Sequence, residues 1–175
     1  GSLEVSYTTL TDLSAFSSLV IVGGDLLLRA NEALTQVDGL GALTTVGGRL
    51  WIDANSDLAQ VDGLGALGYV GGDLSITYTH NLTLVGAFPA LATIGGDVNI
   101  NSNRALQMSG AFPAITSLSG SLYLLSNQSL QQVDGFMALS AIGGHFAMQG
   151  NDYLLGLDGL GSLTSVGGSL EIWYH

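Results

Sequence analysis

The chain has 175 residues, 47% of them hydrophobic and only 10% charged, with 26 Gly and 2 Pro. Its formal net charge of -11, three Arg, no Lys and no Cys leave no basic stripe to neutralise nucleic-acid phosphates, no disulfide staples and no thiolate metal site. No apolar run reaches the roughly 18 residues of a membrane span, and Gly without a Gly-X-Y period is not collagen.

From the N-terminus, Gly1-Ser2 reads as an expression scar, and residues 3–175 as a single domain with no targeting segment in view. Leu10, Leu13, Phe16 and Leu19 then fall three apart, ahead of Val22 and the pair Gly23-Gly24. Residues 25–29 alternate around Leu26 and Leu28, the periodicity of a strand. Asn31 and Leu34 follow, and the next stretch, through Val37-Asp38-Gly39-Leu40 to Leu43, again spaces apolar residues by three. That spacing, with Gly recurring inside it, fits short strands and bends or a brief 3-10 turn, not a long α-helix.

The same unit then recurs. Gly-Gly pairs stand at 47–48, 71–72, 95–96, 143–144 and 167–168, with Ser119-Gly120 in the remaining slot, so the period is 24 without a slip from Val22 to Val166. Aligning on it gives apolar columns such as Val22, Val46, Val70, Ile94, Leu118, Ile142, Val166, and Leu28, Ile52, Ile76, Ile100, Leu124, Met148, Ile172. A column beginning Leu10, Leu34, Leu58 and another of Phe16, Leu40, Leu64, Phe88, Phe112, Phe136, Leu160 behave alike. The column Leu13, Val37, Val61, Val85, Ser109, Val133, Leu157 has the single polar member, Ser109. Such columns predict stacked coils about 4.8 Å apart around one core: an all-β, right-handed parallel β-helix or solenoid of about seven 24-residue coils.

The unit Leu-x-x-Val-Gly-Gly-x-Leu-x-Ile-x-x-Asn-x-x-Leu resembles the receptor L-domain repeat in its bacterial type. The segment Val46-Gly47-Gly48-Arg49-Leu50-Trp51-Ile52 with Asn55 and Leu58 carries the likeness, which extends over residues 10–173. A leucine-rich-repeat-like horseshoe is the competing reading of the same period. The resemblance implies a secreted or cell-surface recognition and adhesion module, in which the shared motif is structural and brings no catalytic residue. The Cys and capped ends of receptor L domains are missing here, which points to a bacterial relative over a vertebrate-type receptor.

Pleating turns residues 25, 27, 29 and their counterparts outward. The resulting polar face carries Arg49, Trp51, Asp53, Asp73, Asp97, Asn99, Asn101 and Tyr123, and exposed aromatics on a rigid sheet suit sugar stacking or protein contact. These eight residues are the candidate ligand site, for a cell-surface glycan or protein partner. A structural spacer or an oligomeric fibre or tip domain is the alternative. A carbohydrate-active enzyme is a more remote one: Asp53, Asp73 and Asp97 could flank a glycosidic bond, but the unvarying period leaves no cleft-forming insertion.

The remaining polar columns read as structural. Asn31, Asn55, Asn103, Asn127 and Asn151 suit a left-handed turn and amide bonding between coils. The stretch Thr77 to Asn81, with Tyr78 and His80, interrupts them at Thr79. Asp38, Asp62, Asp134 and Asp158, each before Gly, suit Asx turns; two donors per neighbouring pair fall short of the six to eight oxygens Ca²⁺ takes. Coils three and four carry Val85-Gly-Ala-Phe-Pro89 and Ser109-Gly-Ala-Phe-Pro113 instead, and Phe88, Phe112 and Phe136 are expected to stack inside. His80, His145 and His175 lie too far apart in the register to share a metal, so neither a metal nor a cofactor is expected. The C-terminal Trp173-Tyr174-His175 lacks a polar cap. Solenoid ends need covering, so either these aromatics fold over the core or a second copy or adjoining domain sits there.

Overall fold

The computed structural model describes residues 1–84 and 87–173. It is an all-β parallel solenoid of about 7 coils of roughly 24 residues, with almost no helix. Four-residue strands, Leu26–Arg29, Leu50–Asp53, Leu74–Thr77, Val98–Asn101, Leu122–Leu125, Phe146–Gln149 and Leu170–Trp173, build the main sheet. Each pairs in parallel with the strand one period away, as in Leu26↔Leu50 and Trp51↔Ser75. Two-residue strands such as Thr45–Val46 lie just before the Gly-Gly corner and form a second, shorter ladder. The third side carries the 3-10 turns Ser14–Phe16, Asp38–Leu40, Asp62–Leu64, Asp134–Phe136 and Asp158–Leu160.

The apolar columns meet in one core. Leu26, Leu28, Leu34, Val37, Leu40, Leu43 and Val46 are all sealed from solvent, as are their equivalents through most of the chain. The predicted phenylalanine stack forms: Phe88 and Phe112 have ring centroids 5.1 Å apart, Phe112 and Phe136 4.8 Å, with planes within 10°.

The column readings fail in particular places. Leu10 is exposed, because the first coil is a residue short: a strand at Leu3–Ser6 joins the main sheet with the register Leu3↔Leu26 and Val5↔Leu28. A strict 24-residue comb sets Ser2 and Glu4 in those slots, which hides the strand. Ser109 is also exposed, and Met108 takes its place inside; in the coil before, Leu84 is buried likewise, while Val85 and Gly86 lie outside the described residues. The bend thus arrives one residue early in the coil that carries Pro113, and neither proline-bearing coil has a 3-10 turn among its described residues. At the C-terminal end, Leu170 and Ile172 are 56% and 38% exposed. They border an open hollow of about 470 Å³, lined also by Phe146, Leu157, Leu160 and Leu163. Trp173 is half exposed; the expectation for Tyr174 and His175 lies outside the described residues.

From the second coil on, the corner glycines are explained by close approach. None of the Gly-Gly corners has a positive φ. A Cβ on Gly47 would collide with the Gly23 carbonyl oxygen, and one on Gly63 with that of Val37. Ser119 shows what a Cβ does there. At the other corners from Gly47-Gly48 onward three backbone N–H groups donate to the preceding coil, as in Thr44 to Val20 (2.9 Å), Gly47 to Val22 (2.8 Å) and Gly48 to Gly24 (2.9 Å). Between residues 92–96 and 116–120 none of the three forms among the described residues. The Ser119 hydroxyl instead donates to the Gly95 carbonyl at 3.1 Å, and the short ladder splits into a four-stranded and a three-stranded sheet. Ser119→Gly is expected to restore the three bonds and raise stability by about 1 kcal/mol, after the backbone entropy of the added Gly. Urea unfolding checks this.

Candidate functional site

The outward residues of the long strands stand in register rows, and their partners divide them into two kinds. The row at the corner belongs to the scaffold. Asp25 Oδ1 accepts the Arg49 N–H (2.8 Å), Asp73 Oδ1 that of Asp97 (2.8 Å), and Asp97 Oδ1 that of Ser121 (2.7 Å). Ser121 Oγ and His145 Nδ1 continue the series to His145 (3.0 Å) and Ser169 (3.0 Å). Ser121, expected outside, is accordingly buried. At the first coil Ser2 Oγ receives the Asp25 N–H at 3.0 Å. Each acceptor sits one coil before its donor, so this row is a ladder between coils. Asp73 and Asp97, two of the candidate ligand residues, each have an oxygen engaged in it. The Asp25 carboxyl is held below its usual value of 3.8 by the Arg49 backbone N–H and then by the Arg49 side chain.

Trp51 is caught in a charged cluster. The Arg29 guanidinium carbon lies 4.2 Å from its ring centroid and that of Arg49 5.8 Å, both in cation–π range. Arg49 Nη2 is 3.0 Å from Asp25 Oδ2, and Arg29 Nε is 3.6 Å from Asp53 Oδ2, an ion pair too long for a hydrogen bond. Asp53 Oδ1 accepts the Thr77 hydroxyl at 2.6 Å. Two of the three arginines are spent here, and one is stacked on the indole. The aromatic platform expected at Trp51 therefore already has a cation against it.

The other end of the face is freer. Tyr123 lies directly opposite Asn99 in the register, with Ala147 on its other side. Tyr123 and Asn99 are half-buried, and neither side chain makes a hydrogen bond among the described residues. Asn101 Oδ1 accepts the Leu125 N–H at 3.1 Å. By coil spacing, Trp51 and Tyr123 stand roughly 14 Å apart, so the structure places the eight candidates on one face but not in one pocket.

The asparagine column is a buried ladder of opposite sense. Asn55 Oδ1 accepts the Asn31 N–H (3.0 Å), and Asn55 Nδ2 donates to the Leu28 carbonyl (2.8 Å). Asn103, Asn127 and Asn151 repeat this. The left-handed residue is not the asparagine but the one before it: Ala30, Ala54, Tyr78, Ser102 and Ser126 have φ between 51° and 59°, and Gly150 has 64°. Thr79 fills an asparagine slot, but its hydroxyl donates to the Thr77 carbonyl at 3.2 Å.

The Asx turns expected at the Asp-Gly column are not made. Each of these 3-10 turns starts on its aspartate and has no side-chain cap. The four carboxylates make no hydrogen bond among the described residues. Among those residues no group of three or more His, Asp or Glu could hold a metal ion, and no helix is long and apolar enough to cross a membrane.

No family model, curated protein or solved structure matches the chain.

Proposed function

We propose that the protein is a non-catalytic recognition module that holds a glycan or a protein partner on the outward face of its long sheet, with Tyr123 and Asn99 at the centre of the contact. One observation carries this reading. On a face where the acidic row serves the coil ladder and Trp51 is covered by Arg29, Tyr123 and Asn99 are adjacent and retain their full hydrogen-bonding capacity. A phenol with a free hydroxyl beside a free amide offers one apolar ring and four or more polar sites to a ligand. The repeat signature around Val46-Gly47-Gly48 supports a receptor-L-domain-like module of the bacterial type working outside the cell or at its surface. Asp53 and Asp73, the carboxylates a glycosidase would need, are tied to Thr77 and to the coil ladder, which favours binding over catalysis.

The test is a screen of the chain against glycans and intact cell surfaces, repeated with Tyr123→Ala. The variant is expected to lose about tenfold in affinity for whatever ligand is found and to unfold at the same temperature within a few degrees, because the side chain stands outside the core. Undiminished binding by Tyr123→Ala removes the reading.

A further inference from the structure

The turn that follows the long sheet carries a second candidate site, away from that face. Here the coils stack a column of left-handed residues beside a column of variable polar ones. A side chain at positive φ costs about 1 kcal/mol or more; the internal coils place the small residues Ala30, Ala54, Ser102 and Ser126 there, and Gly150 removes the cost altogether. Tyrosine stands in this slot twice, at Tyr7 in the first coil, with φ 56°, and at Tyr78, beside a hollow. The φ of Tyr78 is 53°, and the residue is 56% exposed, so core packing gives no return for the strain. The asparagine ladder fails at the next residue, Thr79.

The neighbouring column reads Glu32, Ser56, His80, Arg104, Gln128, Asp152. Its sign changes along the solenoid: cationic or neutral at the centre, acidic two coils away on either side, about 10 Å by coil spacing. Arg29 and Arg49 are both paired, whereas Arg104, exposed, has no ion pair or hydrogen bond among the described residues. His80 Nδ1 lies 3.1 Å from the Ser102 carbonyl. A carbonyl only accepts, so Nδ1 carries the proton, which leaves Nε2 for another partner. Tyr78, His80, Ser102, Arg104, Ser126 and Gln128 line one hollow of about 290 Å³, near the lower limit of small-molecule sites.

We infer that this hollow binds a single carboxylate-bearing sugar residue. The Arg104 guanidinium takes the carboxylate in a two-point hydrogen bond. The exposed Tyr78 ring receives the C–H face of the sugar, and His80 Nε2, the Gln128 amide and the two serine hydroxyls meet its hydroxyl groups. One unpaired guanidinium in a chain of net charge -11 matches one carboxylate in the hollow, whether the acid is free or one residue of an oligomer; a phosphate or sulfate cluster would need more cations than the site holds. A lining of hydroxyls, an amide and one aromatic ring suits a sugar acid better than the acidic side chain of a peptide, which offers no apolar face to the ring.

The experiment is a titration of the whole chain at low ionic strength, followed by backbone NMR shifts, with digalacturonate, neutral galactobiose and an acidic tripeptide as ligands. Digalacturonate is expected to bind in the millimolar range and to shift residues 78–80, 102–104 and 126–128. Galactobiose and the tripeptide are expected to bind at least tenfold more weakly. Arg104→Gln is expected to weaken digalacturonate binding at least tenfold, and Arg104→Lys by less. Tyr78→Gly relieves the positive φ, so it folds at least as well and yet loses binding; Tyr153→Ala, at an exposed tyrosine outside the hollow, leaves it unchanged. The proposal is overturned by absent shifts at high millimolar digalacturonate, by equal binding of galactobiose or the tripeptide, by an unaltered Arg104→Gln, or by loss of the shifts in Tyr153→Ala.

Discussion

Phe112→Ala is expected to lower the free energy of unfolding by about 4 kcal/mol, the range for deleting a fully buried aromatic ring. The cavity has no cheap way to close. Phe112 is held between Phe88 and Phe136 at 5.1 and 4.8 Å, and both neighbours are pinned by backbone that continues into the coils above and below. Part of the loss is the ring–ring contact itself, about 1 kcal/mol for each stacked pair. Phe112→Leu separates the two contributions: Leu40, Leu64 and Leu160 hold the same column elsewhere and are buried, so leucine is expected to cost about half as much or less. Chemical unfolding of both variants, monitored by far-UV circular dichroism and by tyrosine and tryptophan fluorescence, checks the order. An alanine variant no less stable than the leucine one would mean that the stack is not a packed element.

Asn127→Ala is expected to cost about 3 kcal/mol by a different route. The side chain is wholly buried. It receives the Asn103 N–H at 3.1 Å and donates to the Ile100 carbonyl at 2.8 Å. Truncation leaves the buried Asn103 N–H without its partner, at about 1–3 kcal/mol, and takes from the Ile100 carbonyl, a member of the parallel strand pair, its bond to the amide, at about 1 kcal/mol more. Asn127→Asp is the informative companion. It keeps the acceptor for Asn103 but turns the donor into a carboxylate oxygen facing the Ile100 carbonyl, so it is expected to be no better than alanine at neutral pH. Thermal unfolding with amide exchange at Asn103 reports the site directly: its protection should fall in Asn127→Ala by more than that of distant coils.

Much of the fold was legible because a solenoid writes one rule many times. A stacked core needs an apolar residue at the same phase of every coil, and positions such as Val46, Val70 and Ile94 show it without reference to anything distant. What stayed hidden was local in each case. The strand Leu3–Ser6 escaped because one residue is missing from its coil. Met108 displaces Ser109 because the coil carrying Pro113 bends one residue early. The acidic row was misread in purpose: alternation puts Asp73 and Asp97 outside, but only coordinates show their oxygens turned back to an amide of the following coil. The outward face was therefore found, while its division into scaffold and free groups was not. His80 and Arg104 sit 24 residues apart, and the change of sign along the column they share with Glu32 and Asp152 is legible in the sequence once the period is known.

The missing corner bonds around Ser119 have a mechanical consequence. The long sheet crosses that level without a break, while the short ladder opposite it does not, so stiffness is lost on one side only. Bending should concentrate there, with the two halves moving like covers about a spine formed by Val98–Asn101 and Leu122–Leu125. Tyr123 lies on that spine and Asn99 beside it, so anything gripping both would brace the joint.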